Sequence, residues 1–361
     1  MQAYEDHIGL WRDELRAWVP AALFDAHVHV GPPEIVGPVT PERQGQALST
    51  FTSFTAEALA AAHAALFQGC TVNGMFAFPF PQREVDLERA NDHMIELMLR
   101  DRRAHGLMLS DPENADRAVA AYEKARARGV PFRGVKPYAD RLGKNNFAAS
   151  MPEFVPADLL AFMDEHRLIM MLHTAGWGVG DPGIQAWLRE TAERYPRVPI
   201  VLAHLGRYVR PEQFMAFMDS GVFQDCPSLY LEMSSASVSN VYGRILSSGD
   251  AWRRLLFGTD LPFGLITGIE RWSDERGAIF LARDDYSWTD PAMNAAFAAE
   301  RDRLTYNTYH VIKAFKDAIE AVGYGSAETE RIKQHVFCRN AERLLAQTAT
   351  GEQKLVGHGE P

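Results

Sequence analysis

The segment Leu23-Phe24-Asp25-Ala26-His27-Val28-His29-Val30-Gly31 carries two histidines in an apolar run that stops at Gly31-Pro32-Pro33. Its alternation and its β-branched residues predict a short buried strand. Residues two apart on a strand face the same side, so His27 and His29 project together from the carboxyl end of that strand. Such a pair is half of a metal site, although two unrelated histidines would give the same pattern.

Short apolar runs of this kind recur along the chain, with helix-patterned segments between them. The eight predicted strands are 23–30, 73–80, 105–110, 132–138, 168–174, 199–205, 229–234 and 255–260. The predicted helices between them are 55–67, 87–103, 112–128, 156–166, 181–194, 211–220 and 250–254, the third of these opening at the Asp111-Pro112 cap. Eightfold strand–helix alternation is typical of an α/β fold of the (β/α)8 TIM-barrel type, with an open doubly wound sheet as the alternative.

The ends of the chain extend this barrel. We predict an amphipathic helix over 2–20, a long excursion after the eighth strand over 264–300, and two further helices over 301–322 and 327–347. The polar segment 348–361 is expected to be a disordered tail. Since no repeat or linker divides the chain, residues 1–347 are expected to form a single domain.

Composition excludes several classes of function. The 361 residues are 47% apolar and 23% charged, which is typical of a globular protein with a large core. The net charge is −10 and no long basic run occurs, which argues against binding to nucleic acid or acidic membranes. No stretch of about 18 apolar residues exists, and no signal-peptide pattern opens the chain. The three cysteines are widely spaced, as expected for reduced thiols in a cytoplasmic protein.

Residues that commonly bind metals or substrates end several of the predicted strands. In addition to the first-strand pair, they are Lys136 on the fourth strand, His173 on the fifth, His204 on the sixth and Asp260 on the eighth. Their spacing corresponds to 28–37 residues per strand–helix unit, close to the roughly 30 residues of a βαβ unit. All of them are therefore expected at the carboxyl end of the barrel, where active sites of this fold lie.

Three imidazoles and a carboxylate are the ligand set expected for zinc, with manganese, iron or nickel as alternatives. Such a metal lowers the pKa of bound water to about 7 and polarises an oxygen of the substrate. Asp260 could both bind the metal and accept the proton of that water.

At these positions the chain resembles the amidohydrolase superfamily, in its amidohydrolase-related (family 2) branch, over residues 22–345. The motifs that carry the resemblance are Asp25-Ala26-His27-Val28-His29, Leu172-His173-Thr174, Leu202-Ala203-His204-Leu205-Gly206, Gly258-Thr259-Asp260 and Asn340-Ala341-Glu342-Arg343-Leu344. The resemblance implies that the divalent metal is bound by His27, His29, His173 and Asp260. It implies one metal per chain rather than two, with zinc expected and manganese as the alternative. His204 would act as an acid/base beside the metal water, or as a ligand if two metals bind.

Lys136 separates two branches of this superfamily. In two-metal relatives the lysine that ends the fourth strand is carbamylated and bridges the metals, and Gly134-Val135-Lys136-Pro137-Tyr138 is similar to that position in dihydroorotase-type members. In single-metal relatives it is an ordinary cation near the substrate. Both roles remain open from the sequence.

Other side chains near the strand ends are candidates for substrate binding. Arg207 could hold a carboxylate through its two-pronged guanidinium, or form a surface salt bridge. The aromatic residues that follow strands four, five and eight could line the pocket or pack in the core: Tyr138, Trp177 and Phe263. Glu232, on the seventh strand, could support a metal ligand from behind.

These residues predict a metal-dependent hydrolase that acts on a small carboxylated lactone, ester or amide. The alternative is a metal-dependent decarboxylase or hydratase of a small aromatic or muconate-type acid, in which His204 would protonate the carbon that loses carbon dioxide. A third possibility is a barrel retained as a binding scaffold. The expected partner is a small molecule, and the habit of the family suggests a homodimer.

Overall fold

The computed structural model describes residues 7–273 and 277–349. Eight parallel strands pair in chain order. They are β1 (Ala22–His29), β2 (Thr71–Phe78), β3 (Ala104–Leu109), β4 (Gly134–Lys136), β5 (Ile169–Leu172), β6 (Ile200–Leu202), β7 (Leu229–Glu232) and β8 (Leu255–Leu256). The segment after β8 returns to β1, where the Asp260 amide donates to the carbonyl of His27 at 2.8 Å. The predicted (β/α)8 barrel is therefore confirmed.

Helices connect the strands. In chain order they are α1 (Pro41–Gln44), α2 (Ala56–Leu66), α3 (Leu87–Arg100), α4 (Asp116–Ala127), α5 (Met151–Phe154), α6 (Ala157–His166), α7 (Pro182–Arg194), α8 (His204–Arg207), α9 (Pro211–Asp219), α10 (Val222–Asp225), α11 (Ser239–Leu246), α12 (Pro291–Ala296), α13 (Ala298–Arg301), α14 (Asn307–Val322), α15 (Ser326–Gln334) and α16 (Asn340–Ala349). None of the helices in these described residues is long and apolar enough to cross a membrane.

A hydrophobic core fills the inside of the barrel. It is built from the inward side chains of the strands, among them Phe24, Ala26, Phe76, Phe78, Leu107, Ile169, Met171, Val201 and Leu256. Cys338, Ala341 and Leu344 close the amino-terminal end of the same core. These side chains fill the amino-terminal end of the barrel, so the barrel is open at the carboxyl ends of the strands.

A one-residue bulge in β1 changes which side chains face inward. Asp25 pairs with Met75 and Val28 pairs with Ala77, so three steps on β1 match two on β2. Such bulges re-aim side chains beside active sites. Ahead of the bulge, Phe24 and Ala26 lie in the interior core. Beyond it, the odd-numbered His27 and His29 line the cavity at the open end.

The structure differs from the prediction in several helices. Helix α14 begins at Asn307 rather than 301, and the helix predicted over 250–254 is a 3₁₀ helix (Gly249–Arg254). Helix α4 begins at Asp116 rather than 112, because the Asp111 carboxylate accepts from the Glu113 amide and closes a turn instead of capping a helix. The segment predicted as one helix over 327–347 contains α15, a π-helical turn (His335–Arg339) and α16. Of the predicted amino-terminal helix 2–20, the described part contains a π-helical turn at Trp11–Leu15, and residues 1–6 lie outside the described residues.

The excursion after β8 is a β-hairpin followed by two short helices. The hairpin strands are β9 (Gly268–Ser273) and β10 (Gly277–Ala282), which pair antiparallel. The tail expected to be disordered over 348–361 is helical at its first two positions, which end α16, and its remainder lies outside the described residues. The three cysteines are free thiols, as predicted.

Replacing Phe76 by alanine should lower the free energy of unfolding by about 3–5 kcal/mol, since Phe76 is fully buried in the barrel interior. Urea unfolding followed by circular dichroism measures this difference. Leu99→Ala is the control, because Leu99 is 41% exposed on α3, and a change within about 0.5 kcal/mol is expected. Similar losses in both variants would contradict the assignment of Phe76 to the core.

Candidate metal and active site

The open end of the barrel holds a cavity of about 360 Å³. Nine of the eleven residues singled out from the sequence line it: His27, His29, Lys136, Tyr138, His173, His204, Arg207, Asp260 and Phe263. Glu232 is not part of this lining, and neither is Trp177. The Trp177 side chain is 54% exposed and its ring centroid lies 5.0 Å from that of Phe147. It therefore lies on the surface rather than in the cavity wall.

His27, His29 and Asp260 converge on one point of this cavity. The Oδ1 atom of Asp260 lies 3.2 Å from Nε2 of His27 and 3.1 Å from Nε2 of His29. Asp260 takes up a left-handed backbone conformation with φ 57°, and its amide is bonded to β1 as described above. This local geometry turns its carboxylate toward the first-strand histidines.

The hydrogen bonds behind the histidines determine which ring nitrogen faces the cavity. Nδ1 of His27 lies 2.9 Å from Oε2 of Glu232, and Nδ1 of His29 lies 3.4 Å from the carbonyl oxygen of Pro79. Both partners are acceptors, so each Nδ1 carries the proton and each Nε2 presents a lone pair. Two lone pairs then face the Asp260 carboxylate, and Nε2 of His27 is buried without a hydrogen-bond partner among the described residues.

A divalent cation between these atoms would accept both lone pairs and offset the charge of the Asp260 carboxylate. Two ligands at about 2.0–2.1 Å from a tetrahedral zinc lie about 3.4 Å apart, close to the two observed distances. Burial and the nearby charge of Lys136 hold the pKa of His27 well below its usual value, and burial also lowers the pKa of His29. Both imidazoles are therefore neutral, the form that binds a metal. The residues present fit the divalent metal that the resemblance implies.

Glu232 connects His27 to His204 from behind. It is fully buried at the end of β7, and Oε1 accepts from the amide of Ser234 at 2.6 Å. Oε2 accepts from the Ser234 hydroxyl at 2.8 Å and from the His204 amide at 3.3 Å. Burial raises the pKa of Glu232 to about 8, and the Ser234 bonds oppose that rise. Carboxylate–histidine pairs of this kind orient metal ligands.

His204 is held in one orientation by the loop after β7. Its Nδ1 lies 3.2 Å from the Ser234 carbonyl oxygen and 3.0 Å from the Ser234 hydroxyl. Nδ1 therefore donates, and Nε2 is the nitrogen free to exchange a proton. Burial lowers the pKa of His204 to about 4, against an opposing effect of Asp260. His204 lies in a turn that continues with Leu205, Gly206 and Arg207, all at positive φ.

His173 lies beside this centre. Its ring centroid is 5.5 Å from that of His204 and 4.8 Å from that of Tyr138. Two groups of three potential ligands have all their donor atoms within 4.8 Å of one another, His27–His29–Asp260 and His27–His204–Glu232. His173 belongs to neither of these groups among the described residues. Its imidazole is neutral because burial and the charge of Arg207 lower its pKa, so its assignment as a ligand stays a prediction.

Two cationic side chains border the same cavity. Lys136 is 1% exposed, and its ammonium nitrogen lies 4.9 Å from the centroid of the Phe78 ring. Burial lowers the pKa of Lys136 to about 8, while the charges of Asp260 and Glu232 oppose that shift. Arg207 donates from Nη1 to the carbonyl oxygen of Thr174 at 2.7 Å. Its close approach to the neighbouring loop requires Gly178, where a Cβ would lie 1.4 Å from the Arg207 carbonyl oxygen.

Asp25 supports the site from the outer side of β1. Its Oδ2 atom lies 2.9 Å from Nε2 of His63 and accepts from the Thr259 hydroxyl at 2.6 Å. Its Oδ1 accepts from the amides of Thr259 at 2.9 Å and of His27 at 3.2 Å. These bonds join the first and last strands of the barrel directly beneath the ligands. Sequence reasoning included Asp25 in the motif but assigned no role to it, and it did not single out His63.

The amidohydrolase family matches residues 24–346, and the chain therefore belongs to it. Members of this family are metal-dependent enzymes, which agrees with the cluster of ligands. None of the curated proteins matches the sequence significantly.

Solved structures share the barrel at low sequence identity. A 2,6-dihydroxybenzoate decarboxylase bound to 2,6-dihydroxybenzoate is 15% identical, with a TM-score of 0.53 over 91% of this chain and 100% of the other. A dihydroxybenzoic acid decarboxylase from a Polaromonas species, with bound manganese and 2-nitroresorcinol, is 13% identical, with a TM-score of 0.52 over 91% and 97%. The 4-oxalomesaconate hydratase from Rhodopseudomonas palustris is 13% identical, with a TM-score of 0.51 over 93% and 100%. These similarities support the fold.

Replacing Glu232 by glutamine should weaken metal binding roughly 10- to 100-fold, since His27 loses the carboxylate that orients it. Isothermal titration calorimetry of the apoprotein with Zn²⁺ or Mn²⁺ measures the metal affinity. Glu270→Gln is the matched control, because Glu270 lines the cavity but belongs to neither ligand group. Equal affinity in both variants would show that Glu232 does not support the metal.

Proposed function

We propose that this chain is a metal-dependent decarboxylase that releases carbon dioxide from a small hydroxylated aromatic acid. The observation that carries the proposal is the composition of the cavity. Two cations, Lys136 and Arg207, lie beside a cluster of neutral imidazoles and the Asp260 carboxylate, within walls rich in aromatic rings. The sequence analysis predicted a hydrolase, with a decarboxylase or hydratase as the alternative. The composition of the cavity favours the decarboxylase.

The size and walls of the cavity suit a flat, single-ring acid. A volume of about 360 Å³ is at the small end of the range for ligand pockets. The aromatic residues in its lining are Tyr138, Tyr208, Phe263, Phe280 and Trp288. Offset or edge-to-face contacts with such side chains favour an aromatic substrate. The charges of Asp260 and Glu232 favour the protonated form of Lys136, against the burial that lowers its pKa to about 8.

A divalent cation would be held by His27, His29 and Asp260, with His173 as the predicted fourth ligand. When bound, such an ion polarises the substrate oxygens and offsets the negative charge of the carboxylate. We propose one ion per chain, zinc or manganese, and an uncarbamylated Lys136. A carbamate at Lys136 would carry a negative charge and would repel the acid that this cavity is proposed to bind.

His204 would move the proton that the reaction needs. Its Nε2 lone pair takes the proton of the substrate hydroxyl and returns it to the ring carbon that bears the carboxylate. The bond between that carbon and the carboxylate then breaks, carbon dioxide leaves, and its electron pair restores the aromatic ring. The phenolate regains a proton from solvent, so the balanced reaction consumes one proton for each carbon dioxide released.

Hydrolysis remains the second candidate because the same groups can serve it. Asp260 or His204 would accept a proton from water during attack on a lactone, ester or amide. Arg207 and Lys136 would hold a carboxylate elsewhere on that substrate. The aromatic walls make no specific contribution to this chemistry, and this is why decarboxylation is placed first.

Metal content and substrate profiling test the proposal together. Elemental mass spectrometry on protein purified without chelator or metal-affinity resin should find about one zinc or manganese per chain. The protein is then incubated with 2-hydroxy-, 2,4-dihydroxy- and 2,6-dihydroxybenzoate, and with aryl esters and lactones. Release of carbon dioxide from the acids supports the lyase. Acid production from the esters or lactones alone supports the hydrolase, and a metal-free inactive chain supports a scaffold.

A further inference from the structure

The insertion after β8 places a half-buried acidic side chain in the wall of the cavity. Glu270 lies on β9, next to Tyr208 and away from both groups of potential metal ligands. Its Oε2 atom accepts from the Tyr208 hydroxyl at 3.0 Å. Within the described ranges, no lysine or arginine lies within ion-pair distance of its carboxyl group. Its donors are neutral groups, the Tyr208 hydroxyl and the backbone of Ser237. A half-buried carboxyl group held by neutral donors in a cavity wall keeps lone pairs that can accept a hydrogen bond from a ligand.

Glu270 is fixed in position by three parts of the barrel. Its amide donates to the Ser237 hydroxyl at 3.0 Å, in the loop after β7. Tyr208 reaches it from the loop after β6. At the start of β9, the Asn307 side chain of α14 donates to the carbonyl oxygen of Gly268 at 3.0 Å. Such anchoring means that a ligand meets a preformed carboxyl group rather than a mobile one.

The charges of the cavity indicate which part of the substrate would meet Glu270. Lys136 and Arg207 attract the carboxylate of the substrate, whereas Glu270 is an acceptor that would repel it. Burial raises the pKa of Glu270 to about 7, while the Tyr208 hydrogen bond opposes this shift. A substrate oriented by the cations therefore turns a different edge of its ring toward Glu270.

We propose that Glu270, positioned by Tyr208, determines specificity by binding a hydrogen-bond donor on the ring edge opposite the reacting carboxylate. This inference rests on the aromatic acid proposed above as substrate. The donor is a hydroxyl or an ammonium group, and both would bind the same carboxyl group. Aromatic acids without such a donor would desolvate Glu270 without giving it a further hydrogen bond, and would therefore bind more weakly.

Calorimetry on the metal-loaded protein tests this without requiring turnover. The probes are 2-hydroxybenzoate, 2,4-dihydroxybenzoate and 4-(aminomethyl)-2-hydroxybenzoate. The wild type should bind at least one of the two substituted acids about 10- to 100-fold more tightly than 2-hydroxybenzoate. Preference for the dihydroxy acid identifies a neutral donor, and preference for the aminomethyl acid alone identifies an ammonium group.

Variants of Glu270 test whether its side chain causes this binding preference. Glu270→Met, which removes the acceptor at similar volume, should abolish the preference, because 2-hydroxybenzoate then no longer desolvates a carboxyl group and the substituted acids no longer gain a hydrogen bond. Glu270→Gln keeps the shape of the side chain and an acceptor oxygen, and it should retain part of the preference. This variant therefore still tests the role of Glu270 if the methionine variant does not fold. Glu300→Gln is the control, because Glu300 pairs with Arg271 on the outside of the same hairpin and should keep the full preference.

Two outcomes would overturn the inference. One is a wild type that binds the three acids equally or binds none of them. The other is a preference that survives in Glu270→Met. Carbon dioxide release is measured separately, so a protein that shows the binding preference without releasing carbon dioxide would contradict the proposed reaction while supporting the role of Glu270.

Discussion

The Asp260→Asn variant is expected to turn over substrate roughly 10²- to 10⁴-fold more slowly than the wild type. Asparagine keeps the size of the side chain and one oxygen, so the barrel should remain folded. The variant loses the negative charge that faces Nε2 of both His27 and His29. That charge is needed to hold the cation, and in the hydrolytic alternative it would also accept the proton of the attacking water.

Steady-state kinetics on an acid found to release carbon dioxide, with metal content measured in parallel, checks this expectation. Asp302→Asn is the control, since Asp302 is exposed and lies outside the residues that line the cavity. Its kcat should equal that of the wild type. Turnover by Asp260→Asn at the wild-type rate would remove Asp260 from the mechanism, whatever its effect on the metal.

The His27→Ala variant is expected to lose its metal. His27 belongs to both groups of potential ligands, so its removal should weaken binding by more than the roughly 10- to 100-fold cost of losing a supporting residue. It also leaves the buried Glu232 carboxylate without its imidazole donor, which should cost about 1–3 kcal/mol of stability. Elemental mass spectrometry and urea unfolding measure the two effects.

His166→Ala is the control for this variant, because His166 is a partly exposed histidine at the end of α6. It should keep the wild-type metal content. Full metal occupancy in His27→Ala would exclude the proposed centre. Loss of metal in both variants would indicate general destabilisation rather than removal of a ligand.

The barrel and the placement of most site residues follow from local patterns in the sequence. Strands and helices alternate with clear periodicities, and His27, His29, Lys136, His204 and Asp260 end their strands or follow directly after them. Because the carboxyl ends of parallel strands meet at one end of a barrel, a ligand-type residue at each strand end predicts a common site. The predicted cavity residues lie together in the structure, with Trp177 as the exception.

Helix boundaries were less predictable, since competing hydrogen bonds decide them. The Asp111-Pro112 pair has the composition of a helix start, yet the Asp111 side chain bonds within a turn and α4 begins four residues later than predicted. The pattern over 327–347 is continuous, and a π-helical turn within it is not visible from periodicity. Tertiary contacts override local preference at such positions.

The sequence by itself determined the eightfold alternation and the kinds of residue that end the strands, because both are encoded within a few neighbouring positions. Only the tertiary structure decided how these residues act together. The bulge in β1 turns His27 and His29 into the cavity, although strict alternation from Phe24 would point them outward. Glu232 meets His27 across 205 residues, and Glu270 meets Tyr208 across 62. Contacts over such separations depend on the closing of the barrel and leave no periodic signal in the chain.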